Sequence, residues 1–202
     1  MYITAIKQQE RLKGRYSIYV DETYAFSLSA DALLESQLHG GQELDEAQLK
    51  VFKKLSADDK AYGLALAYVA RRMRSRYEIT DYFRRKEYDT ALADQLLERL
   101  EKLRLIDDVA FAEAWVRNRR LLKSVSKRRL TQELRQKRVA DDIIEQALAR
   151  DETDERSVLR ELVTKKRRQT KYQDDIKLMQ YLARQGFGYD DIKSALHASE
   201  EY

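Results

Sequence analysis

The chain repeats one apolar pattern at intervals of 47 residues. The segment Leu64–Arg72 returns as Phe111–Arg119 and again as Val158–Lys166, with small or apolar residues at the same four positions of each copy. Two further apolar sets follow each copy. The middle set is Ile79, Phe83 and Tyr88, then Leu130, Leu134 and Val139, then Leu178, Leu182 and Phe187; the last set is Ala93 and Leu97, Ile144 and Leu148, Ile192 and Leu196. Because apolar residues three or four apart form one stripe of a helix, the pattern predicts tandem units of three short helices.

Residues 1–29 follow a different pattern. Tyr2–Ile6, Tyr16–Val20 and Tyr24–Leu28 are short runs rich in aromatic and β-branched residues, and turn-forming Lys13-Gly14 and Asp21-Glu22 separate them. This pattern predicts a small antiparallel sheet, which needs helices to pack on because so few strands are marginally stable alone.

Helix-start signals place the remaining elements. Ser29 is a candidate N-cap for a helix over residues 30–38, which Gly40-Gly41 is expected to stop. Capping boxes at Asp45 with Gln48 and at Ser75 with Glu78 predict two later helix starts. The predicted fold is mainly α: an elongated array of three-helix repeats behind a small N-terminal antiparallel β-sheet module. The predicted domains are a sheet and helix module at 1–57 and three repeats at 58–106, 107–153 and 154–202.

Composition narrows the functional classes. The 202 residues include no cysteine and no proline, and the sequence has no apolar run of membrane-spanning length, so we expect a monomer in the cytoplasm. Neither His39 nor His197 has a second ligand at metal spacing, and no phosphate-binding glycine loop or nucleophile motif occurs. The adjacent Asp107 and Asp108 are expected to start a helix rather than to act as an acid and base pair. We therefore predict a binding protein without cofactor, metal or small-molecule substrate, and not an enzyme.

The positive charge is concentrated in the later part of the chain. Residues 1–60 carry 8 Lys and Arg against 10 Asp and Glu, whereas residues 61–202 carry 31 against 25. The 22 residues from Arg117 to Arg138 hold ten basic residues and one acid, Glu133. We call this segment the basic cluster. A solvated helix face would also explain it, but such uninterrupted charge favours a polyanion as partner.

Smaller basic groups occupy equivalent places in the other repeats. The candidate polyanion-binding residues are Arg71, Arg72, Arg117, Arg120, Lys123, Lys127, Arg128, Arg135, Lys137, Arg138, Lys165 and Arg168. Arg119, like Arg72 and Lys166, follows an apolar position by one turn, so its stem could equally lie along the rim of the core. Trp115 is expected in the core. The tyrosines of the first repeat could stack on nucleic-acid bases, although the repeat places Tyr68 and Tyr88 inside.

Several segments resemble the RecX family of recombinase regulators. These are Lys60–Tyr62, Arg74–Glu78, Leu100–Ala112, Trp115–Arg119, Glu133–Lys137 and Leu182–Phe187. The first strands resemble an N-terminal extension that some members carry. Members often have a glycine-rich turn before the second helix of the middle repeat and a Lys-Gly after it, where this chain has Leu122–Ser126 and Lys137–Val139.

The resemblance implies a bacterial protein that lies in the groove of the RecA recombinase filament on single- or double-stranded DNA. Such a protein mostly inhibits strand exchange, ATP hydrolysis and coprotease activity, and so regulates DNA repair, recombination and the SOS response. A basic scaffold fits that groove, because acidic protein surface and phosphates both attract Lys and Arg. The main alternative is a stand-alone helical-repeat protein that binds DNA nonspecifically without a protein partner. A third and weaker alternative is a helical adaptor for some other acidic protein.

Overall fold

The computed structural model describes residues 1–198, which are mainly helical with one small sheet. The strands are β1 (Ile3–Gln8), β2 (Arg15–Val20) and β3 (Thr23–Ser29); the helices are α1 (Ala30–Ser36), α2 (Glu46–Ala70), α3 (Arg76–Arg85), α4 (Thr90–Lys102), α5 (Asp108–Leu122), α6 (Lys127–Gln136), α7 (Asp141–Ala149), α8 (Glu155–Arg167), α9 (Asp175–Arg184) and α10 (Tyr189–Ala198). A short 3-10 turn at Thr170–Tyr172 separates α8 from α9. The predicted fold class, with a small antiparallel sheet and tandem helical units, is confirmed.

The sheet is antiparallel with strand order β1, β2, β3. Asp21 and Glu22 join β2 to β3, and both have positive φ, 46° and 66°. A two-residue turn with both residues in the left-handed region matches the right-handed twist of the strands it connects. The Asp21-Glu22 turn therefore sets the pairing of Val20 with Thr23 and of Tyr19 with Tyr24, beyond which an irregularity shifts the register.

Helix α2 covers the outer edge of β3. The Ser56 hydroxyl donates to the Ser27 carbonyl at 2.6 Å, and the Asp59 carboxylate accepts from the Ser29 amide at 2.9 Å. Arg15 of β2 reaches the same carboxylate at 2.9 Å, and both of these side chains are mostly buried. These bonds occupy polar groups that an open strand edge would leave available for pairing with another chain.

One predicted helix end differs from the structure, and one predicted domain boundary falls within a helix. Helix α1 ends at Ser36 rather than at residue 38, because Gln37 is left-handed with φ 53° and its amide donates to the Leu34 carbonyl. Gly41 instead forms a turn with φ 80°, and its amide donates to the Ile3 carbonyl of β1. The boundary proposed at residue 58 lies inside α2, which continues without a break because no residue there stops a helix and Asp59 faces the sheet.

The internal contacts divide the chain into two compact units. One contains Met1–Arg72 and Tyr88–Leu100; the other contains Met73–Glu87 and the chain from Glu101 onward. The apolar core of the first unit lies under the sheet, where Phe26 stacks on Phe52 at 5.9 Å between ring centroids. In the second unit, α5 to α7 form one core cluster and α8 to α10 another. Helix α3 belongs to this second unit.

The repeat predicted most core positions, but not all of them. Leu130, Leu134, Leu178 and Leu182 are fully buried. Trp115, expected inside, is only half-buried, and so are Tyr68 and Tyr88. A polar contact explains the partial exposure of Trp115. Its indole N–H donates to the Glu133 carboxylate at 3.0 Å, which holds the ring at the rim of the core cluster.

Consecutive repeats of the second unit meet through a contact that occurs twice, which we call the repeat joint. At the start of α3, the buried Ser75 hydroxyl donates to the Lys137 carbonyl at 2.9 Å, and the Arg76 amide donates to Asp108 at 2.8 Å. At the start of α6, the Ser126 amide donates to the Gln185 carbonyl at 3.1 Å. The Lys127 amide donates to Glu155 at 3.3 Å.

In both copies the start of one helix meets the end of the equivalent helix in the next repeat. Left-handed residues follow the accepting carbonyls, Arg138 with φ 55° and Gly186 with φ 92°. The repeat joint thus occupies helix N–H groups that have no partner within their own helix.

Candidate polyanion-binding surface

The basic cluster occupies the last turns of α5, the connection to α6, α6 itself and the turn after it. Asp107 caps the start of α5, and Lys123 ends it in an extended conformation. Ser126 then caps α6, where Leu130 and Leu134 face the core. The remaining positions of α6 therefore turn their basic side chains toward solvent.

Five side chains of the basic cluster have no acidic partner within residues 1–198. Arg117, Lys123, Arg128 and Arg138 are exposed, and Lys127 is half-buried at the first turn of α6. The Arg138 guanidinium lies 5.8 Å from the centre of the Tyr77 ring. Since these charges are not neutralised within the described part of the chain, they are the ones available to an anionic partner.

Arg120 has a structural position rather than an exposed one. Its guanidinium donates two bonds to Asp151 at 2.8 and 2.7 Å and one to the Val125 carbonyl at 2.5 Å. The Arg120 and Asp151 side chains are 10% and 6% exposed. Burial acts to raise the pKa of Asp151, but bonds from Thr153 and Arg120 outweigh it and the pKa is lowered. This pair joins the end of α5 to the segment after α7, so Arg120 is not presented to a ligand.

Two other predicted residues are also engaged in ion pairs. Arg135 pairs with Asp141 at 2.7 Å on the surface. The hydrogen bond between them raises the pKa of Arg135 and lowers that of Asp141. Lys137 contacts Glu78 at 2.6 Å and is 29% exposed, so it supports the first copy of the repeat joint. In both ion pairs a carboxylate neutralises much of the positive charge, so these two cations are less available to an anionic partner than the sequence suggests.

Glu133 organises the inner side of the basic cluster. Its carboxylate accepts from the Trp115 indole and pairs with Arg119 at 2.6 Å and Arg129 at 3.4 Å. The Arg119 guanidinium also lies 4.6 Å from the centre of the Trp115 ring. Arg119 therefore lies at the rim of the core, with its charge paired to Glu133. The sequence signal was Glu133 itself, the one acid in the segment.

The smaller basic groups lie in different places. Arg71 and Arg72 are exposed at the end of α2 in the first unit. Lys165 and Arg168 are exposed at the end of α8 in the second unit. Lys166 packs between two aromatic rings, 5.3 Å from the centre of Tyr172 and 4.6 Å from that of Tyr181. The second unit therefore brings Lys165 and Arg168 into the same compact body as the basic cluster.

The two adjacent aspartates have capping roles. Asp107 accepts the Ala110 amide at 2.9 Å as the N-cap of α5. Asp108 accepts the Arg76 amide in the repeat joint, and its pKa is raised chiefly by burial. Within residues 1–198 no group of three or more His, Cys, Asp or Glu side chains could hold a metal ion. Among these residues, no helix combines the length and the apolar character required to cross a membrane.

An apolar feature that the sequence analysis missed borders the basic cluster. Leu121 and Leu122, the last two residues of α5, are 77% and 81% exposed. Leu121 also lines a surface hollow of about 430 Å³ between α5 and α7, together with Val116 and Ala147. The signal in the sequence that could have indicated this feature was the pair of consecutive leucines inside a basic segment.

Family comparisons cover most of the chain. Residues 1–45 match the model described as the regulatory protein RecX N-terminal domain. Residues 61–100, 107–148 and 154–196 match the first, second and third three-helix domains of RecX. The three matched three-helix domains lie along the chain in the same order as the three copies of the apolar repeat.

Curated relatives and solved structures agree with these matches. Regulatory protein RecX of Bacillus pumilus (strain SAFR-032) is 34% identical over 200 residues, covering 96% of this chain and 76% of the relative. That of Halalkalibacterium halodurans is 36% identical over 150 residues, covering 72% and 56%. A crystal structure of regulatory protein RecX matches with a TM-score of 0.73 at 28% identity, over 97% of this chain and 98% of that one. A structure of RecX from Lactobacillus salivarius matches with a TM-score of 0.60 at 25% identity, over 72% and 97%.

Proposed function

Because the chain belongs to the RecX family of regulatory proteins, we propose that it binds the RecA recombinase filament on DNA and regulates it, mostly by inhibition. The observation that carries the proposal is the group of five basic side chains at α5 and α6 that have no acidic partner among the residues that the structure describes. A filament groove offers DNA phosphates and acidic protein side chains together, and both would pair with these cations.

Regulation of this kind needs no chemistry. A protein lodged in the groove would contact neighbouring recombinase subunits and obstruct the entry of duplex DNA. It would also favour whichever filament state presents the better groove, because a ligand shifts an equilibrium by its difference in affinity for the two states. Strand exchange, ATP hydrolysis and coprotease activity would fall together, with consequences for DNA repair, recombination and the SOS response in the cytoplasm.

The second candidate is a DNA-binding protein that acts without a recombinase. The same five cations support it, since a basic surface binds phosphates nonspecifically and loses affinity as salt rises. DNA affinity alone therefore does not separate the two candidates. The stoichiometry of inhibition does.

The test is a titration of this protein into strand exchange and single-stranded-DNA-dependent ATP hydrolysis by the RecA of the same organism, at moderate salt. Inhibition well below one molecule per recombinase subunit would support action on the filament. Inhibition that begins only when the DNA itself is coated would mean competition for phosphate, and the DNA-binding candidate would replace the proposal.

A matched pair of variants locates the surface. Replacing Arg117, Lys123 and Arg128 by Gln removes three charges that have no acidic partner in the described part of the chain, and it should raise the inhibitory concentration by about tenfold or more. The control replaces Lys50, Lys53 and Lys54 by Gln, which removes the same charge from exposed positions of α2. Equal weakening by both variants would show that only net charge matters and that the basic cluster is not the site.

A further inference from the structure

We propose that Leu121 and Leu122, with the hollow beside them, form a protein-docking site that receives an apolar side chain from an acidic surface of the recombinase filament. This inference rests on the proposed function and deepens it by separating the part of the surface that recognises protein from the part that binds phosphate.

The first observation is the exposure of the leucine pair. Leu122, Leu34 and Leu121 are the three most exposed large apolar side chains among the described residues, at 81%, 80% and 77%. A single exposed leucine is ordinary on a soluble protein. Leu121 and Leu122 are adjacent at the end of α5, however, so together they present a wider apolar surface than Leu34 does alone.

The second observation is the hollow that Leu121 borders. It measures about 430 Å³, and Val116, Leu121 and Ala147 supply its apolar lining. A concave apolar site of this size suits a protruding side chain of a protein partner. The bonds from Arg120 to Asp151 and to the Val125 carbonyl hold its wall in place, so the hollow is formed before a partner arrives.

The charges around the hollow disfavour DNA as its occupant. Its charged lining is balanced, so it offers phosphate no excess of positive charge; the acids are Glu113, Asp151 and Glu152, and the bases are Arg117, Arg120 and Arg150. Asp151 is paired with Arg120, and Glu113 with Arg150, so the hollow itself has little net positive charge. Adjacent residues of a helix also point about 100° apart, so the two leucines do not form the single wedge that would enter one step between bases.

The charges next to the leucines disfavour a second copy of this chain. Arg117 and Lys123, which flank the pair in sequence, are exposed and have no acidic partner within residues 1–198. In a two-fold interface centred on the leucine pair, the cations of both copies would be brought close together, and like charges at an interface oppose association. An acidic partner surface would instead neutralise them while its apolar side chain fills the hollow.

The experiment compares filament binding with DNA binding for one variant. Leu121→Gln with Leu122→Gln removes the apolar surface and keeps good helix formers at both positions. The matched control is Leu34→Gln, an equally exposed leucine on α1. Binding is measured to RecA filaments assembled on labelled single-stranded DNA with a non-hydrolysable ATP analogue, and to the same DNA alone. Trp115 fluorescence and circular dichroism establish that each variant is folded.

The expected result is at least a tenfold rise in Kd for the filament, less than a twofold change for DNA alone, and no effect of Leu34→Gln. Filament binding within twofold of the wild type would overturn the docking site while leaving the proposed function intact. Equal loss of filament and DNA binding would assign the leucines to DNA, and a change of oligomeric state would assign them to a second copy; both results overturn the inference. Wild-type protein that binds filaments no better than bare DNA would remove the proposed function, and the docking site with it.

Discussion

Replacing Arg120 tests whether this cation of the basic cluster stabilises the fold or binds the ligand. In the structure its guanidinium is 10% exposed and holds Asp151, which is 6% exposed, through two bonds to one carboxylate oxygen. We expect Arg120→Met to destabilise the second unit and to leave DNA affinity nearly unchanged. Methionine keeps much of the aliphatic stem, so the change removes the charge with little loss of packing.

The magnitude follows from what the variant leaves behind. Removing one partner of a buried ion pair costs about 3–5 kcal/mol, because the other charge stays desolvated. The hydroxyl of Thr153 still donates to Asp151 at 2.5 Å, which favours the lower end of that range. The Val125 carbonyl also loses its donor, at a net cost of about 1 kcal/mol. We therefore expect the free energy of unfolding to fall by about 3–4 kcal/mol, more than a hundredfold in the folding equilibrium constant.

Urea unfolding followed by Trp115 fluorescence is the assay. Trp115 is the single tryptophan and packs against the core cluster of α5 to α7, so its signal reports on the second unit. The double variant Arg120→Met with Asp151→Leu should recover most of the loss, because replacing both partners of a buried pair by apolar residues is often neutral.

The matched variant Arg128→Ala should show the opposite profile, with unchanged stability and a salt dependence of DNA binding reduced by about one phosphate contact. A loss below about 1 kcal/mol for Arg120→Met, together with weaker DNA binding, would refute the structural role.

Two further changes test the repeat joint and the buried pair. Gly186→Ala places a methyl group within 2.9 Å of the Arg129 Cβ, and closer still to the Ser126 hydroxyl, at a residue with φ 92°. This variant should lower the free energy of unfolding, measured with urea, by more than about 2 kcal/mol. Gly63→Ala in α2, which has open space around the added methyl group, should leave the free energy of unfolding unchanged or raise it. The pKa of Asp151 is lowered in the fold, so its contribution to stability should be fully present above the ordinary value of 3.8 and lost as pH falls through the lower pKa of the folded protein. Asp151→Asn should flatten that part of the pH profile, and an unchanged profile would contradict the assignment.

The sequence predicted the features that depend on neighbouring residues. Ser29, Asp45 and Ser75 cap the helices that their local patterns predict, since an N-cap acts on amides two or three residues away. The turn at Asp21-Glu22 is equally local. The repeat of apolar positions predicted most of the helical cores because burial follows periodicity, but it also placed Trp115 inside, where the structure leaves it half-buried.

The sequence did not predict which cations are free. Arg120 and Lys137 pair with acids 31 and 59 residues away, so no local pattern distinguishes them from Arg128, which has no acidic partner within residues 1–198. Nor did it predict the exposure of Leu121 and Leu122, because a leucine at the end of an amphipathic helix looks the same whether or not another element covers it. Of the candidate site, the location was predictable, but the division between supporting and available charges was not.

The hydrogen bonds of the repeat joint are not equivalent for the earlier and the later repeat. In both copies the start of a helix in the earlier repeat donates to acceptors in the later repeat, and the bond from Lys137 to Glu78 runs in the reverse sense. If α9 loosens, the buried start of α6 loses the Gln185 carbonyl that accepts its Ser126 amide, and that amide has no replacement in its own helix. If α3 loosens, the end of α6 loses the Ser75 hydroxyl and the Glu78 partner of Lys137, but the amides of α6 keep their acceptors. Disorder is therefore transmitted more readily from the later repeats toward the earlier ones than in the reverse sense.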